Sequence, residues 1–283
     1  MKTFTTRESE SLPAKSATNA PMLKLSNLQG RGSLEEVAML ALEFGRLLME
    51  AGATARSVEE VTAQVASGFG AERVDLRVGY ASLAITIGRG PNGISRMRKV
   101  GPLGVNQSLD YALRTTAACI ERGGWTVAEA RAELDRLART SSHHPDWIVA
   151  PAVGVACAAF GRLLGVDWAG IGPIFVAATL GQLLRRQLAS HHINVFVSTT
   201  VVAFFSSTLC GLGARWAGSA TAPTAMTVAV LLLVPGVPSL NALSDILEGR
   251  PTLGSARAVW VAVILVFITT GIWLAQSLLG EGR

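Results

Sequence analysis

The second half of this chain is almost bare of charge, and that limits its fold more than any other feature. Residues 148–283 hold seven basic and four acidic side chains, whereas residues 1–147 hold eighteen and sixteen. Five apolar stretches fill the charge-poor half, at about 147–164, 168–184, 193–213, 222–247 and 257–279. A helix needs ~20 mostly apolar residues to cross a ~30 Å hydrocarbon layer. Soluble helical cores contain single runs of this kind, but five in succession fit a membrane. The second run is short and carries Gly170, Gly172, Pro173 and Gly181, which suits a buried or tilted helix. The expected fold class is an α-helical polytopic membrane protein, with about five transmembrane helices in residues 143–283, behind an N-terminal soluble α+β domain.

Residues 1–32 are rich in Ser, Thr, Ala, Pro and charge without periodicity, the composition of a disordered tail. Residues 33–142 read as the soluble α+β domain. Ser33-Leu34-Glu35-Glu36 and Ser57-Val58-Glu59-Glu60 are capping boxes that predict two helices, the first stopping near Gly52 and the second near Gly68. The period then falls to two: Val74, Leu76 and Val78 alternate with Arg73, Asp75 and Arg77, as in a half-buried strand. Residues 81–87 and 94–100 continue as strands around the turn cluster Gly88 to Gly93. Helical spacing returns over 106–122, and Thr126 with Glu129 caps a further helix to about Arg139.

The formal net charge of +5 lies on no basic face, so nucleic acid is not an expected partner; the lipid bilayer is. Lys2, Arg7, Glu8 and Glu10 interrupt any apolar core of a secretory signal, which predicts a cytoplasmic N-terminal domain. Arg185-Arg186, and Arg250 with Arg257, mark loops on the same side, against Arg162 and Arg215 opposite. Trp147, Trp168 and Trp216 sit at span ends, as interfacial aromatics do. Cys119, Cys157 and Cys210 have no paired spacing and read as small buried hydrophobes. His143-His144 and His191-His192 lack a third ligand, so no metal or other cofactor is expected. Neither a phosphate-binding loop nor a nucleophile elbow is present, and no catalytic residue is assigned.

The fourth apolar run carries the chemistry. Pro235-Gly236-Val237-Pro238 cannot continue a regular helix. At ~1.5 Å per residue, Pro235 lies ~20 Å along the run from Ala222. Backbone groups freed at that depth need protein or water partners. Pro238 suits the first turn of a new half-helix, whose amides would face a carboxylate. Pro235, Gly236, Pro238, Ser239 and Asn241 are therefore candidate substrate-binding residues. Asn241, Ser244, Asp245 and Glu248 share one helical face. Asp245 is the candidate proton-coupling residue, because desolvation favours the protonated form of an intramembrane carboxylate. If the helix is merely kinked, Asp245 lies ~35 Å from Ala222 and is a solvated interfacial charge. The third run adds Ser198, Thr199, Thr200, Ser206, Ser207 and Thr208, which interhelical hydrogen bonds explain. Gln182 and Arg185 close the second run, where Arg185 reads as a surface anchor or an anion attractor.

Leu48-Met49-Glu50-Ala51-Gly52-Ala53-Thr54-Ala55-Arg56-Ser57-Val58-Glu59 resembles the opening motif of the threonine/serine exporter (ThrE) family. Leu231 to Arg250, with its Pro-Gly-Val-Pro-Ser-Leu-Asn-Ala-Leu-Ser-Asp core, is similar to that family's membrane motif. The resemblance covers about residues 33–279. It implies a bacterial inner-membrane secondary transporter, proton-driven, exporting a small carboxylate-bearing metabolite. In the family this is threonine and serine for long single chains, and succinate for split pairs. This chain ends after its fifth apolar run, as expected of the larger member of a split pair. The resemblance then implies a smaller integral-membrane partner subunit. Two other classes remain open: a membrane-anchored enzyme, and a signalling or assembly protein acting through the N-terminal domain.

Overall fold

The computed structural model describes residues 31–89, 92–140 and 145–280. The expected tail up to Gly30, and His143-His144, lie outside these residues. The chain divides into two compact units, Met1–Ser141 and Ser142–Arg283.

In the first unit the order is α1 (Arg31–Glu50), α2 (Ala55–Gly68), β1 (Arg73–Val78), β2 (Ser82–Arg89), β3 (Asn92–Lys99), α3 (Gln107–Arg122) and α4 (Val127–Thr140). The strands form one antiparallel sheet, β1-β2-β3, with Val74 opposite Ile87 and Ile85 opposite Arg96. Leu83, Ile85 and Ile87 of β2 are fully buried, and α1 packs on the sheet with Leu40, Phe44 and Leu48 equally buried. Gly45 permits this approach: a Cβ there would stand 2.6 Å from Thr62 Oγ1 and 3.2 Å from Leu83 Cδ1.

The helix starts follow local chemistry with two corrections. The first helix begins at Arg31, two residues ahead of the expected box at Ser33. The second is capped by Thr54, whose hydroxyl accepts from Ser57 N at 3.4 Å, so Ser57 lies inside the helix. The third box forms as expected: Glu129 N donates to Thr126 Oγ1 at 3.2 Å and Thr126 N donates to Glu129 Oε2 at 3.0 Å.

The second unit is helical: α5 (Asp146–Leu163), α6 (Trp168–Ser190), α7 (Val195–Trp216), α8 (Ala222–Val228), a 3₁₀ turn (Leu231–Leu233), α9 (Gly236–Leu247) and α10 (Pro251–Leu279). Three of these helices, α5, α7 and α10, are long and apolar enough to cross a membrane. The pair Ala222–Leu233 and Gly236–Leu247 makes a fourth if taken as one span bent by 68°. Helix α6 does not join them by composition; its glycines, Gln182 and Arg185-Arg186 dilute its apolar character.

The helices pack through small residues. A Cβ on Gly154 would meet Phe175 O at 2.8 Å, drawing α5 onto α6. A Cβ on Gly271 would meet Thr200 O at 2.7 Å, drawing α10 onto α7. Thr200 Oγ1 also donates to Phe267 O at 3.2 Å, and the Phe196 and Phe267 rings stack at 5.2 Å. Asp167 ties two connections together, accepting from Gly170 N at 2.9 Å, Ser219 Oγ at 2.7 Å and Ala220 N at 2.7 Å. The Ser219 hydroxyl and then those amides hold its carboxyl below the usual range, against the opposing effect of desolvation.

Candidate functional site: a broken helix and a buried ion pair

The apolar run 222–247 is divided between two helices, α8 and α9, at the Pro235-Gly236-Val237-Pro238 segment. Pro235 has no N–H to extend the preceding turn, and Val234 adopts an extended backbone with ψ 122°. Gly236 N turns back to Val234 O at 2.9 Å, and Ser239 N and Oγ both donate to Pro235 O, at 3.0 and 2.7 Å. Pro238 falls in the first turn of α9, as expected. These bonds consume most of the amides predicted to face a carboxylate. Gly236 and Ser239 are committed and Pro238 has none, which leaves the amide of Val237. A freed carbonyl at the break is capped from a neighbouring helix: Arg185 Nη1 donates to Leu232 O at 3.2 Å.

Past the break, α9 and α10 form a tight hairpin. Gly249, at φ 81°, ends α9, where Arg250 N returns to Asp245 O at 2.8 Å. Gly254 then lies against α9 so closely that a Cβ would stand 2.7 Å from Ala242 O and 2.5 Å from Ile246 Cγ1. One turn further, Arg257 Nη1 donates to Asp245 Oδ2 at 2.6 Å. Asp245 is 0% exposed and Arg257 4%. They are the only fully buried charged side chains among the described residues.

The predicted face is therefore split. Asp245 is buried and paired, so it is not the solvated interfacial charge that a simple kink requires. Asn241 and Ser244 are half-buried, with Asn241 already engaged in a polar interaction, and Glu248 is a surface residue bonded to Arg250 at 3.0 Å. The structure brings Pro235, Gly236, Pro238 and Ser239 together at the break. Asn241 and Asp245 lie further down the same helix.

Arg257 is the residue that sequence reasoning misplaced. It reads as a loop charge, but it sits in the second turn of α10, inside the protein. The usable signal was its spacing from Asp245 across a Gly-Arg-Pro turn. The hydroxyls of α7 also differ from expectation. Thr200 makes an interhelical bond, whereas Ser206 and Ser207 are fully buried and take no hydrogen bond among the described residues. No group of three or more His, Cys, Asp or Glu side chains converges among those residues.

Residues 39–279 match the family described as "Putative threonine/serine exporter". The chain is 26% identical to the "Probable succinate transporter subunit YjjP" of Escherichia coli, over 86% of this chain and 93% of that one. It is 25% identical to the protein of the same description from Klebsiella aerogenes, over 86% and 94%. An uncharacterized protein of Haemophilus influenzae is 22% identical over 86% and 92%. No solved structure matches the chain. With the match running through both units and across the broken helix, the chain belongs to the threonine/serine exporter family, a family of membrane transporters.

Proposed function

We propose that this protein is one subunit of a secondary transporter in the bacterial inner (cytoplasmic) membrane, exporting a small carboxylate-bearing metabolite. The observation that carries this reading is the buried Asp245–Arg257 pair behind the Pro235–Pro238 break. An ion pair inside apolar helices is a costly feature that seldom adds net stability, so it marks a working element. The solute's carboxylate meets the Val237 amide at the start of α9, with Pro235, Gly236, Pro238 and Ser239 shaping the backbone there. Asn241 supplies a neutral hydrogen-bonding group one turn on. Asp245 carries the coupling proton, and parts from Arg257 to do so.

Among threonine, serine and succinate, the buried charge favours succinate. The single buried acid among the described residues is committed to Arg257, so an incoming ammonium would strand its charge. The two YjjP relatives are described as probable succinate transporter subunits, and "subunit" supports a smaller, YjjB-like integral-membrane partner. Five crossings with a cytoplasmic N-terminal domain complete the arrangement. The ends of α6 support its crossing. Arg186 pairs with Asp146 of α5 at 2.6 Å at one end, and Asp167 holds Ser219 and Ala220 beside the start of α6 at the other.

The test is efflux of labelled succinate from proteoliposomes holding this chain with its smaller partner, in competition with unlabelled threonine and succinate. Succinate efflux that threonine leaves untouched is expected. Labelled succinate efflux no faster than the leak from protein-free liposomes would reject this reading.

A further inference from the structure

Among the described residues β1 is an open edge of the three-stranded sheet, paired with β2 alone. Gly79 N donates to Ser82 O at 2.9 Å, so the narrow hydrogen-bonded pairs of this ladder fall at the odd-numbered residues of β1. The N–H and C=O groups of Val74, Leu76 and Val78 therefore point away from β2, off the edge of the sheet. No bond from outside the sheet reaches these three residues among the described ones. Their side chains share the covered face with Ile87, Ile85 and Leu83 of β2. They are only half-buried, whereas those of β2 are fully buried.

The two edges of the sheet are built differently. Edges that stay single commonly carry a proline, a bulge or an inward-pointing charge. β3 carries the last of these. Arg96 and Arg98 lie on the covered face opposite Ile85 and Leu83, and pair with Glu35 at 2.7 Å and Glu43 at 3.0 Å on α1. β1 has no such device: its pairing with β2 is unbroken from Arg73 to Val78, it holds no proline, and its inward side chains are all aliphatic. Its other face is charged in alternation, with Arg73, Asp75 and Arg77 all exposed.

We propose that this edge pairs with β1 of a second copy of the chain, antiparallel about a two-fold axis between the two Leu76 residues. Leu76 then faces Leu76 of the second copy, and Val74 faces Val78 of the second copy. These are narrow pairs, in which the N–H and C=O groups at the two edges satisfy one another. The wide pairs between them set Asp75 against Arg77 of the second copy, and the symmetry repeats that contact. Charge selects this register. Moving the axis one residue either way sets Asp75 against Asp75, or Arg77 against Arg77. Centring it on Val74 restores opposite charges, but places Glu72 beside Leu76 of the second copy. The paired sheets run continuously across the axis and cover the open flanks of Val74, Leu76 and Val78. The contact lies wholly within the first unit and does not rest on the transport reading.

Disulfide trapping in the full-length chain, held in membranes with its smaller partner, tests this directly. A Cys119→Ser background leaves only Cys157 and Cys210, which are buried. A narrow pair holds its Cα atoms about 5.5 Å apart, within the reach of a disulfide. Leu76→Cys should therefore give a disulfide-linked dimer on oxidation. Val74→Cys should not, because it faces Val78 of the second copy, and Met97→Cys on the β3 edge should not either. Within Leu76→Cys, Asp75→Arg and Arg77→Asp should each slow cross-linking at least about tenfold by setting like charges across the axis. The two reversals together should restore the rate. Absence of a Leu76→Cys dimer, or equal yield from Val74→Cys or Met97→Cys, would overturn the proposal. So would single charge reversals that leave the rate unchanged, or a double reversal as slow as the single ones.

Discussion

Asp245 and Arg257 carry the sharpest residue-scale expectations, because neither can lose its partner cheaply. Asp245→Asn strands a guanidinium that is 4% exposed. Breaking a buried pair from one side costs about 3–5 kcal/mol. Arg257→Gln strands the carboxylate and should cost about as much. The double variant Asp245→Asn/Arg257→Gln strands nothing and should recover most of the lost stability. Its flux separates structure from coupling. A merely structural pair predicts wild-type, proton-coupled transport in the double variant. Coupling through Asp245 predicts a stable protein whose flux no longer follows the proton gradient.

Asp167 makes a second, independent case at this scale. Its folded carboxyl is held below the usual value, chiefly by the Ser219 hydroxyl. A depressed carboxyl adds stability that is present above the unfolded pKa of about 3.9 and is lost as pH falls through the folded value. Thermal melting should therefore weaken below about pH 4, and Asp167→Asn should flatten that part of the profile. An unchanged acid limb in Asp167→Asn would mean that Ser219 and Ala220 do not hold this carboxylate.

Among the elements, the bent pair α8–α9 is where sequence and structure can be compared most closely. The break at Pro235-Gly236-Val237-Pro238 is readable in the chain because a missing N–H and a fixed φ act within one turn. The same locality explains the alternation of β1 and the cap at Thr126. What the sequence could not show is how few amides the break leaves open. That depends on Ser239 folding back to Pro235 O, at 3.0 Å from its amide and 2.7 Å from its hydroxyl. It also could not show Arg257 as a buried partner. Positive-inside reasoning counts arginines near span ends, whereas the pairing here arises from Gly254 letting α10 touch α9. Gly254→Ala should accordingly push the hairpin apart and destabilise the protein by at least about 1–3 kcal/mol, the cost of overpacking. Pro235→Ala with Pro238→Ala should let one helix run through and reduce solute affinity at least about tenfold, or ~1.4 kcal/mol. Equilibrium binding on folded protein reads this, and wild-type affinity would remove the break from the solute site.

For the whole molecule the question is which way the helices thread. Five crossings put the α6–α7 connection at His192 inside and the α7–α8 connection at Gly218 outside. Topology reporters inserted at the two positions should give opposite signals. The same signal at both would mean that α7 does not cross. A cytoplasmic signal at Gly218 would invert the whole arrangement. Composition alone leaves α6 undecided, since membrane-crossing length and apolar character are separate properties. Gly170, Pro173 and Gly181 lower the second while leaving α6 at 23 residues. The helices and strands of the first unit follow periodicity and capping, which are local and so readable in the chain. The proposed solute path rests on the one broken helix, because everything else about such a path depends on which helices meet.

One measurement bears most directly on the claim that this is a proton-coupled exporter subunit. Proteoliposomes holding the chain with its smaller partner, loaded with labelled succinate, are given an outside-acid pH step. Efflux should accelerate with the pH step in the paired preparation and stay at the leak rate with either chain alone. Efflux from the single chain at the paired rate, or paired efflux indifferent to the pH step, would contradict it.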